Sequence, residues 1–403
     1  MANPSDLDAA FAYASLSAQE GDLEGAISTL ERMLIFAPGL PRLQLELGVL
    51  YFRLGAYDTS DSYFQAVLAN PATPADVLER VKVFEKAIER QRTQSPVSFW
   101  SLSGIRWQSN ANNATATADI VLNGLPFQLD SQYTAQPDWS FVSSNVLSYS
   151  HELQNQGDTF DIGIATYSSV YFTLTNLNTQ VAEMVAGPSF NMGRFDVSNT
   201  YTGVYAIAGG SVLGQQVYYS TLGAGASVRS VLDERTRVIG RLEYRHRWYN
   251  DTQDLPYNDL YTGDEIRAVG YVNYLVTSDL TVTGGLRVAR QNANAGFYSD
   301  WEFGLEGNAT KTFPSLLPQL NEGDWALSGN VLYVHRSFDD PDPTINASDS
   351  EYDNYLSLIG SLSIPISEHF AAVPQVQYQW QGSNYPLQQF DTWTLMLALS
   401  ARF

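Results

Sequence analysis

There is no cysteine in these 403 residues, which excludes disulfides, thiolate metal sites and a lipidated cysteine. No apolar run reaches the about 18 residues needed to cross a bilayer as a helix. Basic residues are scarce: 22 Lys and Arg stand against 43 Asp and Glu, a formal net charge of −21. That sign argues against nucleic acid as a partner, since phosphates call for basic patches. A secretory leader is missing as well, because Met1-Ala-Asn-Pro has neither a basic nor an apolar segment, so a mature chain is expected. Chemical motifs are equally sparse, with no P-loop, nucleophile elbow or HExxH. The four histidines, His151, His246, His335 and His369, lack ligand spacing and read as girdle or lumen residues. No catalytic residue, metal or cofactor is expected.

Two kinds of periodicity fill the chain. Over residues 6–93 apolar side chains recur at three and four, so that Ala26, Ile27, Leu30, Met33 and Leu34 share a helical face. Self-similarity appears at a spacing of about 34 residues, the tetratricopeptide period. Gly21 recurs as Gly55, Leu30 as Phe64, and Pro38 as Pro71, one residue short. The second copy is the fuller, with Leu47-Gly48, Tyr51, Gly55, Phe64 and Pro71. Val77, Leu78, Val81, Phe84 and Ile88 then mark a further amphipathic helix that caps the stack. Residues 1–95 are therefore expected to form a tetratricopeptide-like helical domain.

At Pro96 the period changes from 3.6 to 2, and residues 96–403 read as amphipathic strands. The clearest has Gln375, Gln377, Gln379 and Gln381 alternating with Val376, Tyr378 and Trp380. A glutamine face makes a poor dry core but suits a wet lumen, with the aromatic face toward lipid. About fourteen such segments are present, near 97–108, 137–153, 158–173, 178–192, 195–209, 213–232, 235–249, 263–276, 280–290, 299–312, 322–337, 351–365, 369–381 and 390–403. Tight turns alternate with longer connections, apart from the regions near 174–177, 210–212 and 313–321. The fold class expected is helical repeats followed by a 14-stranded antiparallel outer-membrane β-barrel, its helical domain in the periplasm. A mean hydropathy of −0.18 fits, because half of each barrel strand faces water.

Lumen candidates follow from the alternation. Arg241, Glu243, Arg245, Arg247, Glu265, Arg267 and Arg287 fall on three consecutive segments and are placed to pair across the wall, joined by Gln375, Gln377 and Gln379. They read as a structural ion-pair network or as a gate along a translocation path. The acidic clusters Asp339-Asp340-Pro-Asp342 and Asp251-Thr-Gln-Asp254 read as solvated external loops that bridge lipopolysaccharide through divalent ions. The last segment, with Trp393, Leu395, Leu397, Leu399, Ala401 and Phe403 on one face, resembles the C-terminal signal read by the barrel-assembly machinery, carried by Trp393, Leu399 and Phe403.

A helical-repeat domain before a fourteen-stranded barrel resembles the Slam family, the surface lipoprotein assembly modifiers. The residues that carry the likeness are Leu47-Gly48, Tyr51 and Gly55, the segment from Gly104 through Trp107 into Asn110, Asn112 and Asn113, and Leu399-Ser-Ala-Arg-Phe403. The resemblance implies a translocator that moves a protein client, such as a surface lipoprotein, to the cell surface, its helices engaging the client or a periplasmic chaperone. Exopolysaccharide export, a porin or a structural surface-layer anchor is the alternative.

Overall fold

The computed structural model describes residues 7–19, 22–36, 40–54, 56–71, 73–92, 97–155, 157–195, 197, 199–252, 255–317 and 323–403. Gly21, Pro38, Gly55, Pro96 and Asp254, singled out above, lie outside them. Two units divide the chain, residues 1–96 and 97–403.

The first unit holds α1 (Leu7–Gln19), α2 (Leu23–Phe36), α3 (Pro41–Arg53), α4 (Tyr57–Ala69) and α5 (Ala75–Arg92). Pro41 opens α3, where its missing N–H is no loss, and Pro71 follows the end of α4, which it cannot continue. The expected faces are the buried ones. Ala26, Ile27, Leu30 and Met33 pack with α1 and with Leu43, Leu47 and Leu50 of α3. Leu45, on the other side of α3, packs with Phe64, Val67, Val77, Val81 and Ile88. Leu30 and Phe64, matched in the sequence, thus occupy the two separate cores. Gly48 is the close-approach point: a Cβ there would stand 2.4 Å from Phe64 Cε1. Phe64 is fully buried and stacks on Phe84 at 5.4 Å, so its ring has little room to yield. Gly48→Val is expected to destabilise this unit by about 2 kcal/mol, the scale of overpacking. Thermal loss of the 222 nm signal of the full chain, beginning at lower temperature than in the parent, is the check.

The second unit is a closed antiparallel barrel of fourteen strands. They are β1 (Val97–Gln108), β4 (Asp138–Glu152), β5 (Thr159–Tyr171), β6 (Thr179–Asn191), β7 (Thr200–Leu213), β8 (Gln216–Val231), β9 (Thr236–Tyr249), β10 (Gly263–Thr277), β11 (Leu280–Ala293), β12 (Asp300–Phe313), β13 (Trp325–Phe338), β14 (Tyr352–Pro365), β15 (Phe370–Ser383) and β16 (Phe390–Arg402). β2 (Asp119–Leu122) and β3 (Leu125–Gln128) form a separate hairpin inside the first long connection. The expected strand at 195–209 is displaced, because residues 192–195 make a 3-10 turn and the strand runs from Thr200 through Gly209-Gly210 to Leu213. It then turns tightly at Gly214-Gln215, both with positive φ (55° and 72°).

Closure is made by β1, which pairs with β4 on one side and β16 on the other. A Cβ on Gly104 would lie 2.3 Å from the Leu397 carbonyl oxygen, so glycine is required at this seam. Phe99 and Phe403 exchange both backbone hydrogen bonds at 2.9 Å beneath it. The outward positions of most strands carry exposed apolar side chains, among them Leu222, Leu242, Leu286, Leu305, Leu327 and Leu397, while Ser101, Ser103, Ser143, Asn145 and Thr166 interrupt them on β1, β4 and β5. A largely apolar outer face on a closed sheet, with every strand paired, suits hydrocarbon rather than water.

Candidate functional site: the barrel lumen

The register decides which side chains point inward, because alternate residues take opposite faces. Arg241, Glu243, Arg245 and Arg247 of β9 stand opposite Val269, Arg267, Glu265 and Gly263 of β10. Arg287 of β11 stands opposite Val269 and Gly304. Gln375, Gln377 and Gln379 of β15 pair with Met396, Thr394 and Thr392, the inward set of β16. Every lumen candidate named from the sequence therefore shares the inner face, in two groups on different sectors. None of the histidines joins them: His151, His246 and His335 occupy outward positions, and His369 sits in a turn with Nδ1 3.0 Å from the Arg402 carbonyl oxygen. Among the described residues no group of three or more acidic or histidine side chains is placed to hold a metal.

The charged sector is a set of linked ion pairs. Arg245 reaches Glu183 of β6 at 2.5 Å and Glu243 at 2.9 Å. Arg247 and Arg267 share Glu265, at 2.5 and 2.9 Å. Arg287 and Arg336 share Glu302, whose side chain is only 7% exposed. Glycine and alanine on the neighbouring inner positions, Gly163, Ala165, Gly223 and Gly225, leave space for these long side chains. A cavity of about 550 Å³ remains, bordered by Arg241, Arg245, Arg267, Arg287, Glu183 and Glu243. Arg241 meets it with no ion-pair partner among the described residues.

The opposite sector is dominated by amides and hydroxyls, with Asp353 as an acidic member. Gln377 Nε2 donates to Ser357 Oγ at 3.0 Å, and Gln381 Nε2 to Asp353 Oδ2 at 3.3 Å. Arg106 of β1, half the ring from β10, is held by hydroxyls alone. It donates to Ser140 and Ser169 Oγ at 3.0 and 2.7 Å and to the Tyr167 and Tyr171 hydroxyls, both at 3.1 Å. The sequence reading missed Arg106, Glu183, Glu302 and Arg336. Their signal was the one used elsewhere: Arg106 sits between Ile105 and Trp107, and Glu302 between Trp301 and Phe303.

The long connections at one end interlock. In the hairpin β2–β3, Asn123-Gly124 takes the positive φ of a type I′ turn, and Asn123 Nδ2 donates to the Pro343 carbonyl oxygen at 2.9 Å. Tyr385, 1% exposed, donates to the Asp349 carbonyl oxygen at 2.8 Å and accepts from Asp342 N at 3.0 Å. Asp342 is consequently buried, not solvated as its acidic cluster suggested, because its carboxylate accepts from Thr344 N at 2.8 Å. Asp339 of that cluster pairs with Arg290.

Glu351 is buried in the same packing. Desolvation first, and the Asp353 charge second, push its carboxyl up from 4.5 to about 8. The folded chain then holds a proton that the unfolded chain gives up. Stability from this packing is full below the unfolded value, falls as pH rises toward the folded one, and is lowest above it. Raising the pH from about 5 to about 9 is expected to increase protease cleavage within 339–351, and Glu351→Gln to flatten that dependence. A cleavage rate equal at both pH values in the parent would contradict the assignment.

No protein-family model and no curated protein matches the chain. Among solved structures it is similar to an anion-selective porin from Comamonas acidovorans, at 8% identity over 77% of this chain and 100% of that one, TM-score 0.37. It is also similar to Acinetobacter baumannii OccAB3, at 9% identity over 77% and 99%, TM-score 0.38. A bacterial polysaccharide outer membrane secretin gives 10% identity over 76% and 98%, TM-score 0.36. The fold class rests on the closed strand register rather than on these likenesses.

Proposed function

We propose that this chain is an outer-membrane conduit that passes a protein client to the cell surface, with its helical unit in the periplasm recruiting the client or its chaperone. The carrying observation is the cavity bordered by Arg241, Arg245, Arg267 and Arg287 together with Glu183 and Glu243. A polypeptide carries both charges. Apart from Arg241, the arginines and carboxylates of this wall are already paired, and they can exchange partners with such a polypeptide and leave no buried charge alone. Both barrel ends, in β1 and β16, meet at the rim that carries the short turns, which in outer-membrane barrels is the periplasmic one. The two cores flanking α3 agree with tetratricopeptide-like stacking, an architecture that offers a groove to peptide segments. The Slam resemblance points the same way. The barrel-assembly machinery and lipopolysaccharide complete the partners proposed.

A second reading rests on the amide-rich sector, where the Gln375–Gln381 ladder lies among hydroxyls and the Asp353 carboxylate and suits a saccharide chain. Reconstitution distinguishes the two. With the barrel in liposomes and candidate clients and chaperones added, client protection is expected from the full chain and a marked loss of it without residues 1–95. Client crossing unchanged by that truncation removes the recruiting role. Polysaccharide crossing without any client favours the second reading.

A further inference from the structure

The outward wall of β9–β14 is not uniformly apolar. Toward the rim with the long connections it presents paired polar side chains. His246 Nδ1 lies 2.7 Å from Asp264 Oδ1, which also accepts from the Tyr244 hydroxyl at 2.6 Å. Arg290 donates from Nη1 to Asp339 and from Nε to Asn292, both at 2.8 Å, with its guanidinium 5.6 Å from the centre of the Trp301 ring. Trp248 packs edge-on against His246 at 4.5 Å. At the same rim Trp107, Trp139 and Trp393 take the outward positions of β1, β4 and β16, and single polar residues such as Gln180, Ser220 and Asp391 stand outward on other strands without forming such pairs with charged partners among the described residues.

Farther along the same strands the outward residues shrink. A Cβ placed on Gly270, Gly284 or Gly329 would meet nothing within 4 Å. Gly284 stands beside Gly307, and Gly329 beside Gly360. Gly307, Ala309, Gly329 and Gly360 line an apolar depression of about 610 Å³ walled by Tyr378 and Trp393. A polar patch on a lipid-facing wall is costly unless it meets polar atoms, and a trough in such a wall forfeits dispersion contacts unless a flexible chain fills it.

Both conditions are met by one amphiphile. Planar carboxylate, amide and guanidinium groups beside indole faces offer the alternating donors and acceptors, and the apolar platforms, that sugar hydroxyls and ring C–H groups require. Asp264 and Asp339 offset Arg290, so the patch has no surplus positive charge to select a bare phosphate. We infer that this wall binds a glycolipid of the surrounding leaflet, its saccharide headgroup on the His246–Asp264 and Arg290–Asp339 pairs and its acyl chains in the glycine-lined depression. The inference needs only that the barrel spans a membrane and is independent of the cargo.

The test is native mass spectrometry of the full chain in detergent with added lipid A, dephosphorylated lipid A, phosphatidylglycerol or phosphatidylethanolamine. Both forms of lipid A are expected to be retained about tenfold better than the phospholipids, a difference of about 1.4 kcal/mol. Two double variants divide the site: Asp264→Ala with Arg290→Ala at its polar end, and Gly284→Leu at the edge of its trough, beside Gly307, with Gly329→Leu inside it. Each is expected to lower lipid A retention about tenfold while heat-modifiable gel mobility, the folding control, is kept. Open space above Gly284 and Gly329 makes the leucine pair compatible with folding, so at least one arm remains readable. Equal retention of phospholipid, retention that depends on the phosphates, or undiminished lipid A binding in a folded double variant would each overturn the inference. So would a dimer of this chain that the leucine pair abolishes.

Discussion

Leu397→Arg is expected to block stable insertion of the barrel. Leu397 lies mid-strand in β16, 65% exposed on the outward face, opposite Ile105 and Pro374. Its neighbours on that face, Leu395 and Leu399, are exposed and apolar as well. A guanidinium at this depth costs roughly 2–4 kcal/mol near the bilayer midplane. Arg241→Ala is the matched control, since Arg241 faces the lumen without an ion-pair partner among the described residues and its loss leaves no carboxylate bare. Heat-modifiable gel mobility after refolding into lipid should separate the two variants. Equal tolerance would mean that the inner and outer faces have been exchanged.

Glu302→Ala is expected to be the most damaging change within the lumen. The buried Glu302 carboxylate is shared by Arg287 and Arg336, with Nε of Arg336 at 2.9 Å. Removing it strands two guanidinium groups beside each other. Breaking a buried pair by deleting one partner costs about 3–5 kcal/mol, and the lower end applies because Arg336 keeps contact with water. Urea unfolding in lipid should shift to lower concentration. Conductance of the protein that does fold should become more anion-selective, since two cations lose their counter-charge. Unchanged selectivity together with unchanged stability would remove Glu302 from any role in the lumen.

The barrel was legible because its side-chain period is 2 and its two faces meet different solvents. Most strand limits follow from that contrast alone, as in the Gln375–Gln381 ladder and in the alternation of Leu242 and Tyr244 with Glu243 and Arg245. What escaped was decided by local backbone or by distance round the ring. The shift of β7 came from a short 3-10 turn, and from glycines that continue a strand where packing allows it. The hairpin β2–β3 carried its own signal, Asn123-Gly124 between apolar residues, but lay inside a segment read as one loop. The pair Arg245–Glu183 joins β9 to β6, strands that are not neighbours, so nearest-strand pairing does not find it. Asp342 looked solvated because nothing near it in sequence announces Tyr385, which covers it from another connection. In the helices, the 3.6 period marked the buried faces, and the recurrence of Leu30 as Phe64 marked equivalent places in two cores.

The seam between β1 and β16 has a kinetic meaning. Every other ladder of the barrel joins strands that follow one another along it, with at most one connection between them, whereas this one joins residue 100 to residue 402. Its loop-closure entropy is therefore the largest in the barrel, and no local turn holds its register. Until it forms, β1 and β16 each present a bare row of backbone donors and acceptors, open to pairing with any extended segment nearby. The unsealed barrel is thus the species most exposed to aggregation. Refolding yield should fall with protein concentration even where the sealed form is stable, and changes at Gly104, which must admit the Leu397 carbonyl, should act more on the rate of sealing than on the other strand pairs.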